Sequence, residues 1–360
     1  MARGFGVEKQ AVTMNRWPSL ILALVMLMAL PVTATQAQER RPEATEAPST
    51  RPAHVLTPSA SLVPGAAETD TDDVDRVAEI LAGMTLRQKV GQLFTTRVYG
   101  FRAKDPAPGA KRSNRRYLGV DDAHELLERF PVGGVVYFDY TGNLQRPRQI
   151  ARLSNGIQRA ARAAGTVGVL ISTDQEHGVV ARVGPPATRF PGSMALGATR
   201  DPELAREAAR VTGEELRALG IDQDLAPVAD VNSDAGNPVI GLRAFGSRPA
   251  LVAAMTRAQV LGFEEDAGIA ATVKHFPGHG DTDIDSHDRL PTIRHSRSRW
   301  WALDAPPFEA AIEAGVDVIM TAHVAVPSLD PSRRPATLSR PILTGILRER
   351  MGYDLSLIHI

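Results

Sequence analysis

Short apolar runs that alternate with helical patterns constrain this chain more than any other feature. Runs rich in Val and Ile fall at residues 90–95, 132–138, 167–173, 224–231, 270–274 and 316–322. Helical patterns lie between them, near residues 121–129, 149–164, 202–219, 250–266 and 307–314. The runs are almost continuously apolar, as strands buried on both faces must be. Repeated strand–helix units give a parallel sheet, and their number favours a (β/α)8 barrel over an open sheet. The expected class is therefore α/β, a TIM-type barrel. Its folding is expected to start at an acidic helix opening, residues 72–75. No G-x-G-x-x-G follows the first run, which weakens a dinucleotide-binding dehydrogenase as an alternative.

Barrels place their chemistry at the carboxyl ends of their strands. Here the third run ends in Asp174-Gln-Glu176, with Arg182 close behind, and the fourth in Asp230-Val-Asn232, leading on to Arg243. The fifth ends in Lys274-His275 and the sixth in His323. Polar groups converging from several strand ends suit a polyhydroxylated ligand. The fifth run opens into the densest stretch of all: residues 274–291 hold three His, four Asp and one Lys in eighteen residues. That stretch is too polar for a core and too rich in Gly and Pro for a helix, so it is a loop.

Metal binding is the first chemistry to test there. Asp281-Thr-Asp283-Ile-Asp285 begins like a calcium loop, but Ser286 and Thr292 stand where the turn Gly and the bidentate Glu are needed. His275, His279 and His287 lack the helical i, i+4 spacing of zinc-protease ligands. No metal and no cofactor is expected. Asp285 and His287 are two apart and can point to one side of an extended segment. A carboxylate on one ring nitrogen fixes the tautomer and raises the basicity of the other. The residues alone leave two roles open, acid/base work or a loop-stabilising hydrogen bond.

Composition narrows the partners. Formal net charge is zero, which argues against nucleic acid, since a binder needs a basic face. There is no cysteine, so disulfides, thiol nucleophiles, thiolate zinc sites and a lipidated Cys anchor are excluded. Arg16, the apolar run 20–30 and the small residues ending at Ala34 or Ala37 make a signal peptide, residues 1–37. That run is shorter than the ~20 residues a membrane span needs. The protein is expected to be exported, secreted or held at the cell surface, with no stable membrane span after cleavage. Residues 38–71 read as a flexible tether rich in Pro, Ala and Thr, and residues 72–354 as the barrel domain.

Four stretches carry a family resemblance: Asp174-Gln-Glu-His-Gly178 with Arg182; Asn237 to Gly246 around Arg243; Lys274-His-Phe-Pro-Gly-His-Gly280; and Asp285-Ser-His287. Together they resemble glycoside hydrolase family 3, in its β-N-acetylglucosaminidase branch. The resemblance implies retaining removal of terminal β-linked N-acetylglucosamine from peptidoglycan fragments or chitooligosaccharides. It implies that His287, on a mobile loop, is the general acid/base, oriented by Asp285. It also implies that Asp174, Arg182, Arg243, Lys274 and His275 hold the sugar. A His acid departs from the two-carboxylate scheme of most glycosidases. Uncharged before it accepts a proton, it would not repel phosphate, so an N-acetylglucosaminide phosphorylase is an alternative; product yields indifferent to phosphate, with no sugar 1-phosphate, would remove it. A non-catalytic sugar-binding barrel is the other.

The family draws its nucleophile from an Asp at the carboxyl end of the seventh strand. This chain reaches Asp354, which lies before that strand, and continues Leu355-Ser-Leu-Ile-His-Ile360. Those six residues are foreign to the family and match what a common sequencing-adapter end encodes, so residues 355–360 read as an artefactual tail. The barrel is then expected to be incomplete, about six strands plus a stub of the seventh, with open apolar edges. The chain as written should be poorly soluble and inactive on a chromogenic β-N-acetylglucosaminide; soluble expression with normal turnover would refute this.

Overall fold

The computed structural model describes residues 71–358, with side chains described from Arg76 onward. All of the described residues belong to one unit. The expected signal segment and almost all of the expected tether lie outside them.

In chain order the strands are β1 (Thr95–Thr96), β2 (Gly134–Val136), β3 (Leu170–Thr173), β4 (Gln175–His177), β5 (Val180–Ala181), β6 (Gln223–Asp224), β7 (Ala270–Phe276), β8 (Val318–Thr321) and β9 (Ser356–Ile358). Seven of them pair in the order β1-β2-β3-β6-β7-β8-β9, parallel throughout. β4 and β5 form a separate antiparallel hairpin directly after β3. Spatial order follows chain order, which is how right-handed β–α units wind a barrel. β1 and β9 are not paired with each other among the described residues, so the α/β barrel is incomplete, with seven of eight strands. Thr96, Val136, Ser172, Gln223 and Leu357 line a cavity of about 540 Å³ along its inner face.

The outer helices bury one stripe each. Pro202–Ala218 is capped by Asp201, whose side chain accepts from the Glu203 N–H, and starts with Pro at its first position. Both features are strong helix openings. It buries Ala205, Ala208, Ala209, Thr212 and Leu216, the i, i+3, i+4 spacing of one face. Around the end of β7 the packing is aromatic. Phe276 meets Trp300 and Phe308 edge-to-face at 6.2 and 5.2 Å, all three fully buried. The Trp300 indole donates to the Pro277 carbonyl at 2.7 Å. The carboxyl end of β7 is thereby pinned to two helices.

Several expectations need correction. The run 90–95 is not a strand along its length. Thr85 and Gln88 form a capping box that starts a helix over Leu86–Gly91, and only Thr95–Thr96 pairs. Of the run 224–231 only Asp224 lies in a strand, together with Gln223 before it; Pro227 has no N–H for the ladder, and a single bridge, Val228 to Lys274, resumes it. The helix Pro108–Leu118 was not expected. It buries only Asn114, so it has no apolar period to read. The tail set aside above is folded in: Ser356, Leu357 and Ile358 pair with Val318, Ile319 and Met320 as the seventh strand. Among the described residues no helix is long and apolar enough to cross a membrane.

Candidate active site

Polar residues after β3 and along β7 meet at the carboxyl end of the sheet. Lys274, 2% exposed, sends its ammonium to Asp174 Oδ1 at 2.9 Å and to Glu176 Oε1 at 2.6 Å. Arg243 forks onto the same Glu176, from Nε to Oε2 and from Nη2 to Oε1, each at 2.8 Å. Arg243 sits on a 3₁₀ turn, Gly241–Arg243, and also donates to the Val239 carbonyl. The fork is the bidentate geometry at which guanidinium and carboxylate bind best.

Charge balance explains how four ionised groups tolerate burial. Desolvation pushes the Glu176 carboxyl up, but Lys274 and Arg243 outweigh it and hold it at about 2. Burial likewise disfavours the Lys274 ammonium, and Asp174 and Glu176 raise it above its ordinary value all the same. Asp224, at the end of β6, lies under the cluster with no cation of its own. Burial pushes it up to about 8, and its Oδ1 accepts from the Gln175 N–H at 2.9 Å. That shift favours its neutral form, and the cluster above it pairs two cations with two carboxylates. Removing one member of such a pair strands a buried charge, at a cost of about 3–5 kcal/mol.

His275 faces a different partner. Its Nδ1 lies 2.7 Å from Asp230 Oδ2, so Nδ1 is the donor and Nε2 the acceptor. Burial lowers its pKa, and Asp230 only partly offsets this. Asp230 is fully buried, and its other oxygen accepts from the His279 N–H at 2.7 Å. Arg182 follows the β4–β5 hairpin; its backbone N–H donates to the Asp174 carbonyl and its guanidinium stands 4.0 Å from Asp139. Arg182 Nε and both ring nitrogens of His279 are buried without a hydrogen-bond partner among the described residues.

The loop after β7 has fixed feet and a free crown. At its start, Gly280 lies against the Val231 backbone, where a Cβ would come within 1.8 Å of the carbonyl oxygen; only glycine fits. Asn237 donates to the His279 carbonyl and Ser233 to Asp281. At its return, the Ile293 N–H donates to the Ala325 carbonyl and the Ala325 N–H to the Pro291 carbonyl, around a bridge at Thr292. Between the feet, the Asp285 carboxylate accepts from both the N–H and the Nδ1 of His287, at 2.9 and 2.7 Å. That is an Asx turn closed a second time by the ring. His287 is 83% exposed. No hydrogen bond or ion pair among the described residues joins Asp285 or His287 to the Lys274 cluster.

The structure therefore brings together Asp174, Arg243 and Lys274, sets His275 beside them, and leaves the Asp285–His287 pair on the crown. Glu176 and Asp230 were not singled out as site residues. The signals were present: Glu176 is two residues from Asp174, and Asp230 stands near the end of the apolar run 224–231.

A parallel sheet with a buried charged cluster at the carboxyl ends of its strands defines an incomplete α/β barrel with polar groups where such barrels carry their sites. Residues 85–356 match the glycosyl hydrolase family 3 N-terminal domain, and the chain belongs to that family. β-Hexosaminidase A of Pseudoalteromonas piscicida is 39% identical over 289 residues, 75% of this chain and 48% of that protein. A β-hexosaminidase of Thiobacillus denitrificans is 41% identical over 65% of this chain and 64% of its own length. A family 3 β-N-acetylglucosaminidase structure from Paenibacillus sp. str. FPU-7 superposes with TM-score 0.71 at 47% identity, over 77% of this chain and 49% of that one. These relatives fall in the β-N-acetylglucosaminidase branch, and this chain spans about half to two thirds of their length.

One residue ties the two feet of the loop. His295 Nδ1 bonds Asp304 Oδ2 at 2.7 Å, while Nε2 lies 2.6 Å from Asp281 Oδ2, close but not aligned as a hydrogen bond. The groups facing it are Asp304 at the helix junction, Asp281 on the loop and Arg299, with Asp230 behind Asp304. The bond to Asp304 outweighs burial and raises the His295 pKa above 6.5. A raised histidine stabilises fully below its unfolded value and loses that contribution as pH rises through the folded one. Protection factors for amide exchange across residues 282–290, taken relative to the intrinsic base-catalysed rate at each pH, should therefore fall as pH rises through that value. His295→Gln should exchange fast at every pH and lose about 1–3 kcal/mol of stability. Protection factors indifferent to both pH and the substitution would show that His295 does not hold the loop.

Proposed function

We propose that this chain is the barrel of an exported, retaining β-N-acetylglucosaminidase that removes terminal β-linked N-acetylglucosamine from peptidoglycan fragments or chitooligosaccharides. The observation that carries this reading is the charge-balanced cluster of Asp174, Lys274, Glu176 and Arg243, in a chain whose relatives bear β-hexosaminidase names. Asp174 spends Oδ1 on Lys274 and keeps Oδ2 to accept from a sugar hydroxyl. Lys274, Arg243 and Arg182 donate to other oxygens of the sugar. His275 offers Nε2 as an acceptor. Glu176 does not touch the sugar; both its oxygens hold the two cations in place.

The Asp285–His287 pair supplies the proton. With Nδ1 committed to Asp285, Nε2 is the nitrogen that gives a proton to the leaving oxygen and later takes one from water. Because His287 stands in solvent, the crown must fold down over a bound sugar for this to happen, and the fixed feet limit that motion to residues between them. No described residue is assigned to the attack on the anomeric carbon. Glu176 is locked by Arg243 and Lys274. Asp354 precedes β9 at the end of the sheet where Ser356 pairs with Val318, away from Lys274.

Calorimetric titration with N-acetylglucosamine should give saturable binding that Asp174→Asn weakens about tenfold or more, with glucose binding more weakly than N-acetylglucosamine. Equal affinity for the two sugars, or binding indifferent to Asp174→Asn, would overturn the reading. For export, N-terminal sequencing of the protein recovered outside the cytoplasm should begin at residue 35 or 38; an intact Met1 or Met14 start would count against cleavage.

A further inference from the structure

A second concave site lies away from the Lys274 cluster, on the outer flank of the barrel. It is a cavity of about 440 Å³ between the segment after β1 and the helix Pro147–Ala163. Its floor is apolar and shallow, made by Ala103, Leu153 and Gly156. Gly156 sets the depth: a Cβ there would meet the Ala103 Cβ at 2.7 Å, so no side chain fills the space. Its walls are cationic. Arg152 and Arg159 come from the helix, Arg146 caps its start, and Arg102 and Lys104 face them from the other side. No Asp or Glu lines the cavity.

Two facts make this more than a solvated basic face. The chain as a whole carries no net charge, so five cations around one cavity are a local concentration that composition does not impose. The neighbouring carboxylates are also engaged elsewhere. Asp105 is paired with Lys111 at 2.5 Å, Asp121 with Arg115, and Glu125 with Arg129. Asp122 accepts from the backbone N–H groups of Asp105 and Glu125. None of the five lining cations has an ion-pair partner among the described residues. Mutual repulsion of this kind is relieved by an anion from solution.

The geometry favours an extended ligand. Arg152 and Arg159 are seven residues apart on one helix, two turns, so their Cα atoms stand about 10 Å apart along the axis on the same face. Arg146 lines the same cavity at the helix start, where the macrodipole adds positive potential. A single phosphate cannot span that spacing, but a chain of anionic groups can. Arginine predominates, and its planar fork suits both phosphate and carboxylate oxygens.

We propose that this flank cavity binds a linear oligoanion bearing phosphate or carboxylate groups, with Arg152 and Arg159 on one wall and Arg102 and Lys104 on the other. The site is independent of the sugar reading, and a chain could hold an anionic polymer here whatever its barrel mouth does.

Surface plasmon resonance on the immobilised full chain tests this, with short-chain polyphosphate and oligogalacturonate as the two probes and orthophosphate as the comparison. At least one polymer should bind, more tightly than orthophosphate, with affinity falling steeply as salt rises. Which of them binds identifies the phosphate or the carboxylate source. Arg152→Ala with Arg159→Ala should weaken binding about tenfold or more and flatten the salt dependence. Arg102→Ala with Lys104→Ala, on the opposite wall, should do the same. Arg333→Ala with Arg334→Ala, an exposed pair elsewhere, should change nothing. Absence of binding by both polymers, orthophosphate binding as tightly as the polymers, or equal losses in the control pair would overturn the proposal.

Discussion

A lysine ammonium buried between two carboxylates organises the carboxyl face of this barrel. Lys274 comes from β7, while Asp174 and Glu176 follow β3, a hundred residues earlier. Taking three charges out of water is unfavourable unless every one is paired. That condition fixes much of what surrounds them. Arg243 must be present to balance Glu176, so the 3₁₀ turn that carries it must lie within reach. Asp224 has no cation beside it, and burial at the end of β6 pushes its carboxyl toward the neutral form. The backbone of the hairpin is drawn in by the same requirement, through the Arg182 N–H on the Asp174 carbonyl. Sequence-distant strands are held in register by electrostatics at one end and by apolar packing along their length.

Around that centre, each neighbouring polar group has a distinct electrostatic setting. His275 is kept neutral by burial, with Asp230 fixing its tautomer. His295 has its pKa raised by its carboxylate partners, Asp304 first and then Asp281. His287 shares one carboxylate with its own backbone N–H and stands in solvent. These three of the four histidines between residues 275 and 295 thus differ in exposure and partner, although they stand close together in the sequence.

The fold class was legible because parallel strands buried on both faces leave continuous apolar runs, and five of the six runs place strands where the structure has them. The failures have local physical causes. The capping box Thr85-Leu-Arg-Gln88 was visible and turns residues 86–91 into helix, but the apolar Val90 and Leu93 pulled the reading toward a strand. The helix Pro108–Leu118 was hidden by its composition, since a helix that buries only Asn114 has no apolar stripe; Pro108 and the left-handed Gly119 at its end were the available signs. At the site, the residues on strand ends were readable from their position alone. Glu176 was passed over because its role depends on two cations brought from 67 and 98 positions away, and no local pattern reports such a meeting. Ser356–Ile358 shows the converse: three residues that look out of place still complete a ladder, because a parallel edge offers backbone partners to any segment of suitable β character.

The aromatic packing of Phe276, Trp300 and Phe308 bears on how movement is divided in this site. It anchors the stretch that carries Lys274 and His275 to two helices, and the Trp300 bond to Pro277 locks the exit from β7. The wall that would hold a ligand is therefore stationary, an anvil set into the core. All adjustment falls to the dozen or so residues between the loop's two feet. A ligand of the wrong shape cannot be met by a yielding floor; it is met only by a crown that closes badly, so discrimination in such a site would be expressed in the moving part and not in the part that grips.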